Sequence, residues 1–376
     1  MTAIRNALVI GGGFSGMAAA IRMRRAGIAV ELLEIDPQWC PLGAGITING
    51  PTLRALQTLG LFEAFAQHGF TSVGVDMYTQ QGHPIGRIET PPPVGTQLPG
   101  GGGIMRPVLA RLMADAVRAA GATVRLGYGW QDITPVGDAM QVTFANGDVA
   151  QYDLVVGADG VHSALRTRFM PEVPAPQYIG QGVWRAVAPR PAGLERPAMW
   201  LGPHIKCGVN PVSATHMYVF ITEDRPTKEH IDPATWPAVV QGLLQPFSAP
   251  ILQALIPGMT APEAAIDYRP LANLLVPAPW NRGRLLLIGD TVAATTPHLA
   301  SGAGIGIESG IVLGEELERH SDLQAALDAF HARRFERCAM VVKNSERLCL
   351  IEIQGGDKAE HGRIMRESLG ALAQPI

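Results

Sequence analysis

The sequence predicts an α/β protein that contains a parallel sheet and an inserted, smaller domain rich in β-strands. Three observations support this prediction. Residues 4–10 form a short apolar run that leads into a glycine-rich turn and an alanine-rich helix, as expected of a buried parallel strand and its helix. Residues 284–288 restore the same buried-strand pattern late in the chain. Between about residues 171 and 280, prolines are frequent and strand-like runs alternate with turns, which is typical of a separate sheet-rich unit.

The other elements follow from apolar periodicity and from the positions of glycine and proline. Pro51 stands where the first turn of a helix tolerates proline, and Asn146-Gly147 is typical of a hairpin turn. Residues 90–103 hold three consecutive prolines and four consecutive glycines, so we expect a loop or hinge there. Helices are predicted at 17–26, 52–59, 106–120, 302–317 and 323–353, and strands at 4–10, 28–33, 123–126, 141–144, 148–151, 152–157, 217–222 and 284–288.

Strands of the same buried kind lie far apart in the sequence, so we infer one nucleotide-binding domain built from separated segments. The segments assigned to this domain are 1–72, 100–175 and 280–355. A smaller, sheet-rich substrate domain is assigned to 73–99 and 176–279, and a C-terminal tail to 356–376.

Composition excludes several classes of protein. Of 376 residues, 47% are hydrophobic and 17% are charged, which favours a large folded core over disorder. The net charge of −3 argues against a protein that binds nucleic acid by neutralising its phosphates. The four cysteines form no C-x-x-C pair, so we expect neither a disulfide framework nor a metal site. No apolar stretch reaches the roughly 18 residues that a membrane span requires, so we expect a cytoplasmic protein.

The first motif is the glycine pattern Gly11-x-Gly13-x-x-Gly16, which lies between the first strand and its helix. The first glycine permits a tight turn, the second lets the backbone approach a pyrophosphate, and the third lets helix and strand pack closely. Glu34 ends the second strand, where a carboxylate accepts hydrogen bonds from ribose hydroxyls and repels a 2′-phosphate. This unit therefore predicts a site for FAD or NAD rather than NADP.

Two further motifs place acids at the carboxyl ends of strands, where α/β folds bind ligands. Asp159 follows a buried strand in the run Gly-Ala-Asp-Gly, and Asp290 follows the strand at 284–288. Pro297-His298 and the glycine-rich turn at 302–306 come next, and this turn opens another helix. The free N–H groups at the start of that helix suit negative charge.

The three motifs, in this order and approximate spacing, resemble those of class A flavoprotein monooxygenases, the family of p-hydroxybenzoate, salicylate and urate hydroxylases. The resemblance covers residues 1–72, 100–175 and 280–355, and it implies a GR2-type Rossmann-like FAD-binding domain with an inserted substrate domain. It implies that the ADP half of FAD and the flavin contact a set of cofactor-binding residues. These are Gly11, Gly13, Phe14, Ser15, Gly16, Glu34, Arg106, Asp159, Asp290, Pro297, Gly302, Ala303 and Gly304.

The sequence departs from the family pattern at two places. Many relatives carry a histidine three residues after the aspartate of the third motif, whereas this chain has Ala293, so no histidine role is carried over. Many relatives also carry an arginine soon after the ribose-binding acid, whereas Ile35 and Asp36 follow Glu34 here. The contacts on the adenine side are therefore left open.

Two residues are candidates for the chemistry. His298 follows Pro297 in the loop that should pass the reactive edge of the flavin, and a histidine there suits deprotonation of a phenol. Arg185 lies on a predicted strand of the inserted domain that should face the ring, where it suits a carboxylate or enolate. The alternatives are a loop histidine without chemistry and a surface arginine.

The resemblance implies FAD-dependent, NAD(P)H-consuming hydroxylation of a small aromatic or heteroaromatic substrate by O2, through a flavin C4a-hydroperoxide. The choice between NADH and NADPH stays open, as does the choice between a monomer and a homodimer. Two alternatives remain: a flavin reductase or dehydrogenase of the same fold without oxygen insertion, and a non-catalytic flavin-binding regulatory module.

The remaining polar and aromatic residues favour structural interpretations. Arg333, Arg334 and Arg337 alternate with phenylalanines at helical spacing, which predicts a solvated helix face. Arg166 is expected in a structural salt bridge near the second motif. Packing or sheet roles are favoured for Tyr178, His204, His216 and Tyr218, and for the tryptophans at 184, 200, 236 and 280.

Overall fold

The computed structural model describes residues 4–39, 43–259, 261 and 265–376. The helices are α1 (Phe14–Arg25), α2 (Gly50–Thr58), α3 (Phe62–His68), α4 (Arg106–Ala119), α5 (Ala164–Phe169), α6 (Trp236–Leu244), α7 (Pro250–Gln253), α8 (Ile256–Met259), α9 (Gly302–Arg319), α10 (Leu323–Gln354) and α11 (Lys358–Ala373). The strands are β1 (Asn6–Ile10), β2 (Ala29–Glu34), β3 (Gly45–Asn49), β4 (Phe70–Ser72), β5 (Val75–Thr79), β6 (Pro84–Ile88), β7 (Gly101–Met105), β8 (Thr123–Leu126), β9 (Trp130–Val136), β10 (Ala139–Phe144), β11 (Val149–Tyr152), β12 (Leu154–Gly157), β13 (Gln177–Pro189), β14 (Ala198–Leu201), β15 (Ile205–Pro211), β16 (His216–Asp224), β17 (Asp267–Leu275), β18 (Asn281–Arg282), β19 (Leu285–Leu287) and β20 (Ala293–Ala294).

A six-stranded sheet of order β18-β19-β12-β1-β2-β8 forms the first layer. All its pairs are parallel except β18 with β19, and Ile10 pairs with both Gly157 and Leu33. Helices α1, α4 and α9 pack on it, and the meander β9-β10-β11 shares its core through Ile133 and Val142. The carboxyl ends of β1, β2, β12 and β19 therefore lie along one edge, which brings the three motifs together.

An eight-stranded sheet of order β20-β17-β13-β16-β15-β14-β5-β6 forms the second layer. One face carries a separate apolar core with α6, α7 and α8, in which Trp184 packs against Tyr268 and Trp236. The opposite face carries a smaller apolar cluster that includes Tyr218 and Phe220. Strand β20 pairs with β17 and so joins this sheet, although it comes from the stretch predicted for the nucleotide-binding domain.

The prediction of a loop through the four glycines at 100–103 is wrong. Gly101, Gly102 and Gly103 belong to β7, the central strand of a three-stranded sheet with β3 and β4. A Cβ at Gly102 would overlap the carbonyl oxygen of Phe70, and a Cβ at Gly103 would overlap that of Pro211. These glycines therefore permit a close approach of neighbouring strands rather than the motion of a loop.

The prediction of a solvated face for Arg333, Arg334 and Arg337 is also wrong. Arg334 is fully buried and pairs with the buried carboxylate of Glu308 on α9 at 3.0 Å. Arg337 contacts the same carboxylate at 2.8 Å and donates to the Leu372 carbonyl at the end of α11. Burial alone would raise the pKa of the Glu308 carboxyl, but Arg334 and Arg337 hold it below its usual value. These contacts join α9, α10 and α11. The segment 356–376, assigned as a C-terminal tail, therefore contains helix α11, which packs against α10.

The described part of the chain holds neither a membrane-spanning helix nor a cluster of metal ligands. None of its helices is both long and apolar enough to cross a membrane. Within the same residues, no group of three or more histidine, cysteine or acidic side chains is arranged to hold a metal ion. Cys207, Cys338 and Cys349 are buried free thiols, and Cys40 lies outside the described residues.

Candidate cofactor and substrate site

The glycine turn between β1 and α1 has the geometry that the motif predicts. Gly11 has a φ of +110°, and a Cβ there would overlap the carbonyl of Ala158 on the neighbouring strand end. A Cβ at Gly16 would overlap the carbonyl oxygen of Gly11, so the third glycine lets α1 pack onto the turn. At Gly13 a Cβ would meet no protein atom within 4 Å, which leaves open space above the turn and the start of α1.

Glu34 is fixed against this turn. Its Oε2 accepts the backbone N–H of Gly12 at 2.8 Å, and its Oε1 accepts the N–H of Asp36 at 2.8 Å. Trp39 stands beside it, with its indole N–H donating to the Gly12 carbonyl at 2.8 Å and the Arg118 guanidinium 4.9 Å from its ring centre. A carboxylate has further lone pairs, so Glu34 keeps acceptor capacity for ribose hydroxyls.

The three motifs contact one another. Ser15, in the first turn of α1, packs so closely against Gly289 and Gly306 that a Cβ at either glycine would overlap its hydroxyl. The Thr291 hydroxyl accepts the backbone N–H of Gly160 at 3.0 Å, which joins the second motif to the third. The predicted convergence of remote strand ends is therefore present in the fold.

Asp159 caps the helix that follows it. Its Oδ2 accepts the N–H of Leu165 at 3.1 Å, and its Oδ1 accepts the Thr291 hydroxyl at 3.4 Å. Arg166 is buried and structural, as predicted, but its partners are the carbonyls of Thr291 and Val161, at 2.8 and 2.7 Å. Asp159 thus organises the turn that meets the third motif, and its predicted cofactor contact stays a prediction.

Arg106 and Asp290 face a common cleft between the two layers. Both residues are exposed to solvent at the cleft. The protein that surrounds them is still close enough that desolvation is the largest influence on the pKa of each. Burial lowers the pKa of the Arg106 guanidinium and raises that of the Asp290 carboxyl, and each group partly offsets the shift of the other. The Arg106 guanidinium also lies 5.1 Å from the ring centre of Phe14, at the start of α1.

Arg185 lies on the face of the eight-stranded sheet that is turned towards Arg106. It lies near the Tyr218 hydroxyl and contacts Asp267 at a long 3.6 Å, whereas Arg269 binds Asp267 at 3.0 Å. Burial raises the pKa of the Tyr218 hydroxyl, and Arg185 acts against this shift. The sequence prediction favoured packing for Tyr218 and missed Asp267 and Arg269, since no local motif marks them.

The second glycine-rich turn precedes and opens α9. A Cβ at Gly304 would overlap the Thr52 hydroxyl, so this glycine permits close contact with α2. Gly302 and Ala303 are half-buried, and Pro297 is exposed. Asn49 donates to the Ser301 hydroxyl at 2.8 Å and anchors the turn from the other side.

The His298 side chain is only 1% exposed. Its Nδ1 lies 2.9 Å from the Thr296 hydroxyl, and its Nε2 lies 3.3 Å from a carboxylate oxygen of Glu352 on α10. Burial lowers the pKa of His298 below its usual value, with Lys206 acting in the same direction and Glu352 against it. These contacts turn the imidazole towards α10 and β15, and its predicted catalytic role stays a prediction.

The residues present fit a dinucleotide cofactor. The space above Gly13 is open, the first N–H groups of α1 face it, and Glu34 is held beside it. Arg106 and Asp290 extend this surface along the cleft towards Arg185. A pyrophosphate above the glycine turn and a ribose beside Glu34 would meet the groups that each requires.

Comparison with known proteins identifies the family. Residues 5–345 match the FAD binding domain family. Aurachin C monooxygenase/isomerase of Stigmatella aurantiaca is 32% identical over 357 residues, which cover 91% of this chain and 88% of that protein. A FAD-dependent urate hydroxylase of Klebsiella oxytoca is 26% identical and covers 91% of this chain and 89% of that protein. The crystal structure of Klebsiella pneumoniae HpxO with FAD and uric acid has the same fold, with a TM-score of 0.84 at 24% identity, covering 98% of this chain and 92% of that chain.

The family match, over residues 5–345, includes the glycine turn, the two strand-end acids and the glycine-rich turn that opens α9. These comparisons confirm the resemblance that the three motifs predict, and they confirm FAD as the cofactor. The chain belongs to the FAD-binding family of flavoprotein monooxygenases.

Proposed function

We propose that this monooxygenase hydroxylates a small aromatic or heteroaromatic substrate that carries an anionic group, such as a carboxylate or an enolate. One observation carries this choice of substrate. Arg185, near Tyr218 and only loosely paired with Asp267, faces the cleft that Arg106 and Asp290 line. A guanidinium without a close carboxylate partner keeps donors for a planar anion.

The charges around the cleft favour an anion. Arg185 and Arg269 each act electrostatically on Arg106, and Asp267 and Asp290 are acids near these arginines. Asp267 gives its shortest contact to Arg269, so it compensates Arg185 only in part. Because burial raises the pKa of the Asp290 carboxyl, its negative charge is also less secure than that of an exposed aspartate. The balance leaves positive charge where the substrate would lie.

The apolar cluster beside Arg185 supports an aromatic ring. Tyr218 and Phe220 lie 5.8 Å apart between ring centres on β16, and Val212 and Ala44 pack with Tyr218. Such a wall suits a planar ring and excludes water from it, while Arg185 would orient the ring through its anionic group. The substrate would thereby be held in one orientation for attack.

The cofactor would be held by the glycine turn and the acids along the strand ends. Gly13 and the first turn of α1 would receive the pyrophosphate, Glu34 the ribose, and Arg106 and Asp290 the part nearer the ring. FAD, once reduced by NADPH or NADH, supplies the activation of O2. The protein groups bind, orient and exclude water from the reacting partners.

The relatives favour oxygen insertion over the alternatives. Two proteins similar to this chain are named for monooxygenation of aurachin C and hydroxylation of urate, and a third is a 3-hydroxybenzoate 6-hydroxylase. A non-catalytic regulatory module would not require a substrate wall beside the cleft, and the names of these relatives favour oxygen insertion over simple reduction or dehydrogenation. Three buried free thiols favour a reducing compartment, so we place the protein in the cytoplasm. A monomeric or homodimeric state stays a prediction.

The test is a panel of aromatic acids, phenols and N-heterocycles, screened for stimulated NADH or NADPH consumption by the FAD-loaded chain. Products of the stimulating compounds are then formed under ¹⁸O2 and weighed by mass spectrometry. One labelled oxygen atom per product is the expected result. Stimulated consumption with an unlabelled product would support a reductase or dehydrogenase, and no stimulation by any compound would support a binding module.

A further inference from the structure

A cluster of titratable groups lies outside the cleft, where α10 meets both layers of the molecule. The Glu352 carboxylate binds the Lys206 ammonium of β15 through both oxygens, at 2.7 and 2.9 Å. Its Oε2 lies 3.3 Å from His298 Nε2, and its Oε1 lies 3.3 Å from His361 Nε2 on α11. One carboxylate therefore contacts the loop before α9, the eight-stranded sheet and the last helix.

Neighbouring contacts fix this end of α10 in place. The Cys349 thiol donates to the Gln181 side-chain oxygen of β13 at 3.3 Å. Leu348 and Ile351 of α10 pack with Leu299, which is buried in the loop before α9. The end of α10 is thus attached to the sheet on one side and to this loop on the other.

We call residues 296–301 the border segment, because Pro297 and the following turn are predicted to line the flavin ring. Its far end is anchored by the bond from Asn49 to Ser301, and Ala300 adopts a left-handed backbone with a φ of +48°. Within its near end, His298 Nδ1 lies 2.9 Å from the Thr296 hydroxyl, and the other side of the same imidazole lies 3.3 Å from Glu352 outside the segment. The strained backbone of Ala300 persists only where the surrounding contacts hold it in that conformation.

We propose that Glu352 is a positioning residue, which fixes the border segment to the substrate-bearing sheet by binding Lys206 while its carboxylate contacts His298 Nε2 at 3.3 Å. This inference rests on the proposed function, since it concerns the register between the predicted flavin edge and the predicted substrate wall. Neither His298 nor Lys206 needs to touch the substrate for this role. A small shift of the border segment would change the distance between the reacting groups.

The charges around Glu352 support this positioning role. Burial alone would raise the pKa of the Glu352 carboxyl, but Lys206 and His298 hold it well below its usual value. The carboxylate is therefore ionised and paired with a largely buried ammonium. When the Nδ1 of a neutral His298 accepts from Thr296, its proton lies on Nε2, the atom that faces Glu352. Removing the carboxylate leaves both Lys206 and His298 without their partner.

The test compares hydrogen exchange in the FAD-loaded wild-type chain and two variants. Glu352→Gln keeps the shape of the side chain and removes its charge. Glu360→Gln is the matched control, because Glu360 joins α11 to α10 through Arg347 at 2.7 Å and contacts neither His298 nor Lys206 in the described structure. We expect peptides spanning 296–301 and 204–208 to exchange about tenfold faster in Glu352→Gln and to be unchanged in the control.

Two further measurements separate positioning from a general loss of structure. The visible circular dichroism of bound FAD should change in Glu352→Gln but not in Glu360→Gln, at equal FAD retention. If Glu352→Gln does not fold, Lys206→Gln replaces it, with the same exchange pattern expected. Exchange of the border segment that matches the control in either variant overturns the proposal. Failure of the wild-type chain to bind FAD would instead contradict the proposed function, and exchange in the FAD-free chain would still test the tie.

Discussion

The carboxylate of Glu34 accepts the backbone N–H of Gly12 at 2.8 Å, so the acid at the end of β2 is attached to the glycine turn at the end of β1. This contact places the predicted ribose acceptor beside the predicted pyrophosphate site through a bond within the protein itself. Preorganisation of this kind lowers the entropic cost of binding.

Glu34→Ala should therefore weaken FAD binding. Hydrogen bonds to a charged group contribute about 1.5–3 kcal/mol, so we expect a dissociation constant about 10- to 100-fold higher. The measurement is titration of the FAD-free chain with FAD, followed by flavin fluorescence. Glu63→Gln, at an exposed position of α3, serves as the control. Equal affinity in Glu34→Ala and the control would remove Glu34 from the cofactor site.

Gly13→Val should abolish flavin retention without unfolding the chain. A Cβ there meets no protein atom within 4 Å, so the only expected cost is that of valine at the N-cap of α1, about 1 kcal/mol of the FAD-free stability. Gly16→Ala is the contrasting variant, because its Cβ would overlap the Gly11 carbonyl and should destabilise the FAD-free protein by about 1–3 kcal/mol. Denaturant unfolding and the flavin absorbance of the purified proteins check both. A fully yellow Gly13→Val protein would contradict the assignment.

Arg185→Ala should reduce affinity for the anionic aromatic substrate and leave FAD binding unchanged. Loss of a charge-assisted contact predicts a KM about 10- to 100-fold higher for the stimulating compound. Arg196→Ala is the control, since Arg196 contacts Asp76 on the same sheet, at β5. The measurement is NAD(P)H consumption against substrate concentration. An unaltered KM in Arg185→Ala would take this residue out of the binding site.

His298→Ala should lower turnover while FAD stays bound, whether the imidazole acts directly or by positioning. The two roles differ in a second variant, because Glu352→Gln should reproduce most of the loss only if His298 acts through the border segment. Steady-state rates across pH and flavin absorbance measure both effects. Turnover that is unchanged in His298→Ala across pH would refute any catalytic part for this residue.

Stability should fall as the pH drops below about 6.5, in part because of His331. The backbone N–H of Trp280 donates to His331 Nε2 at 2.8 Å, and burial lowers the pKa of this histidine below its usual value of about 6.5. The unfolded chain therefore binds the proton first, so this stability is present above the unfolded pKa and is lost as the pH falls towards the folded one. His331→Gln keeps an acceptor and should flatten the decrease in melting temperature between pH 7 and 5, whereas His83→Gln, at an exposed position, should not. Parallel curves for His331→Gln and the wild type would contradict this account.

Local patterns were enough to predict the first layer. Strand β1, its glycine turn and α1 form a contiguous pattern, and Glu34 ends β2 where predicted. The long helix α10 begins at Leu323 as its periodicity indicates. These elements form through interactions between residues close together in the sequence, or through the burial of one apolar run in a sheet. The spacing of apolar residues is therefore enough to predict them.

Tertiary contacts explain what local patterns did not reveal. In the sequence, Gly102 and Gly103 are typical of a flexible loop. In the fold, the carbonyls of Phe70 and Pro211 on other strands come so close that no Cβ fits at either position. The sequence around Arg334 predicts a surface cation, whereas in the fold this residue is buried and paired with Glu308 of α9. Within the site, the tie from His298 to Glu352 joins two helical regions that share no motif, so only the folded arrangement shows it.

The most direct test of the central claim is a titration of the purified wild-type chain with FAD, monitored by the visible flavin spectrum. We expect one tightly bound FAD per chain, held by the strand-end residues and lost in Gly13→Val. A colourless wild-type chain that does not bind added FAD would contradict this expectation.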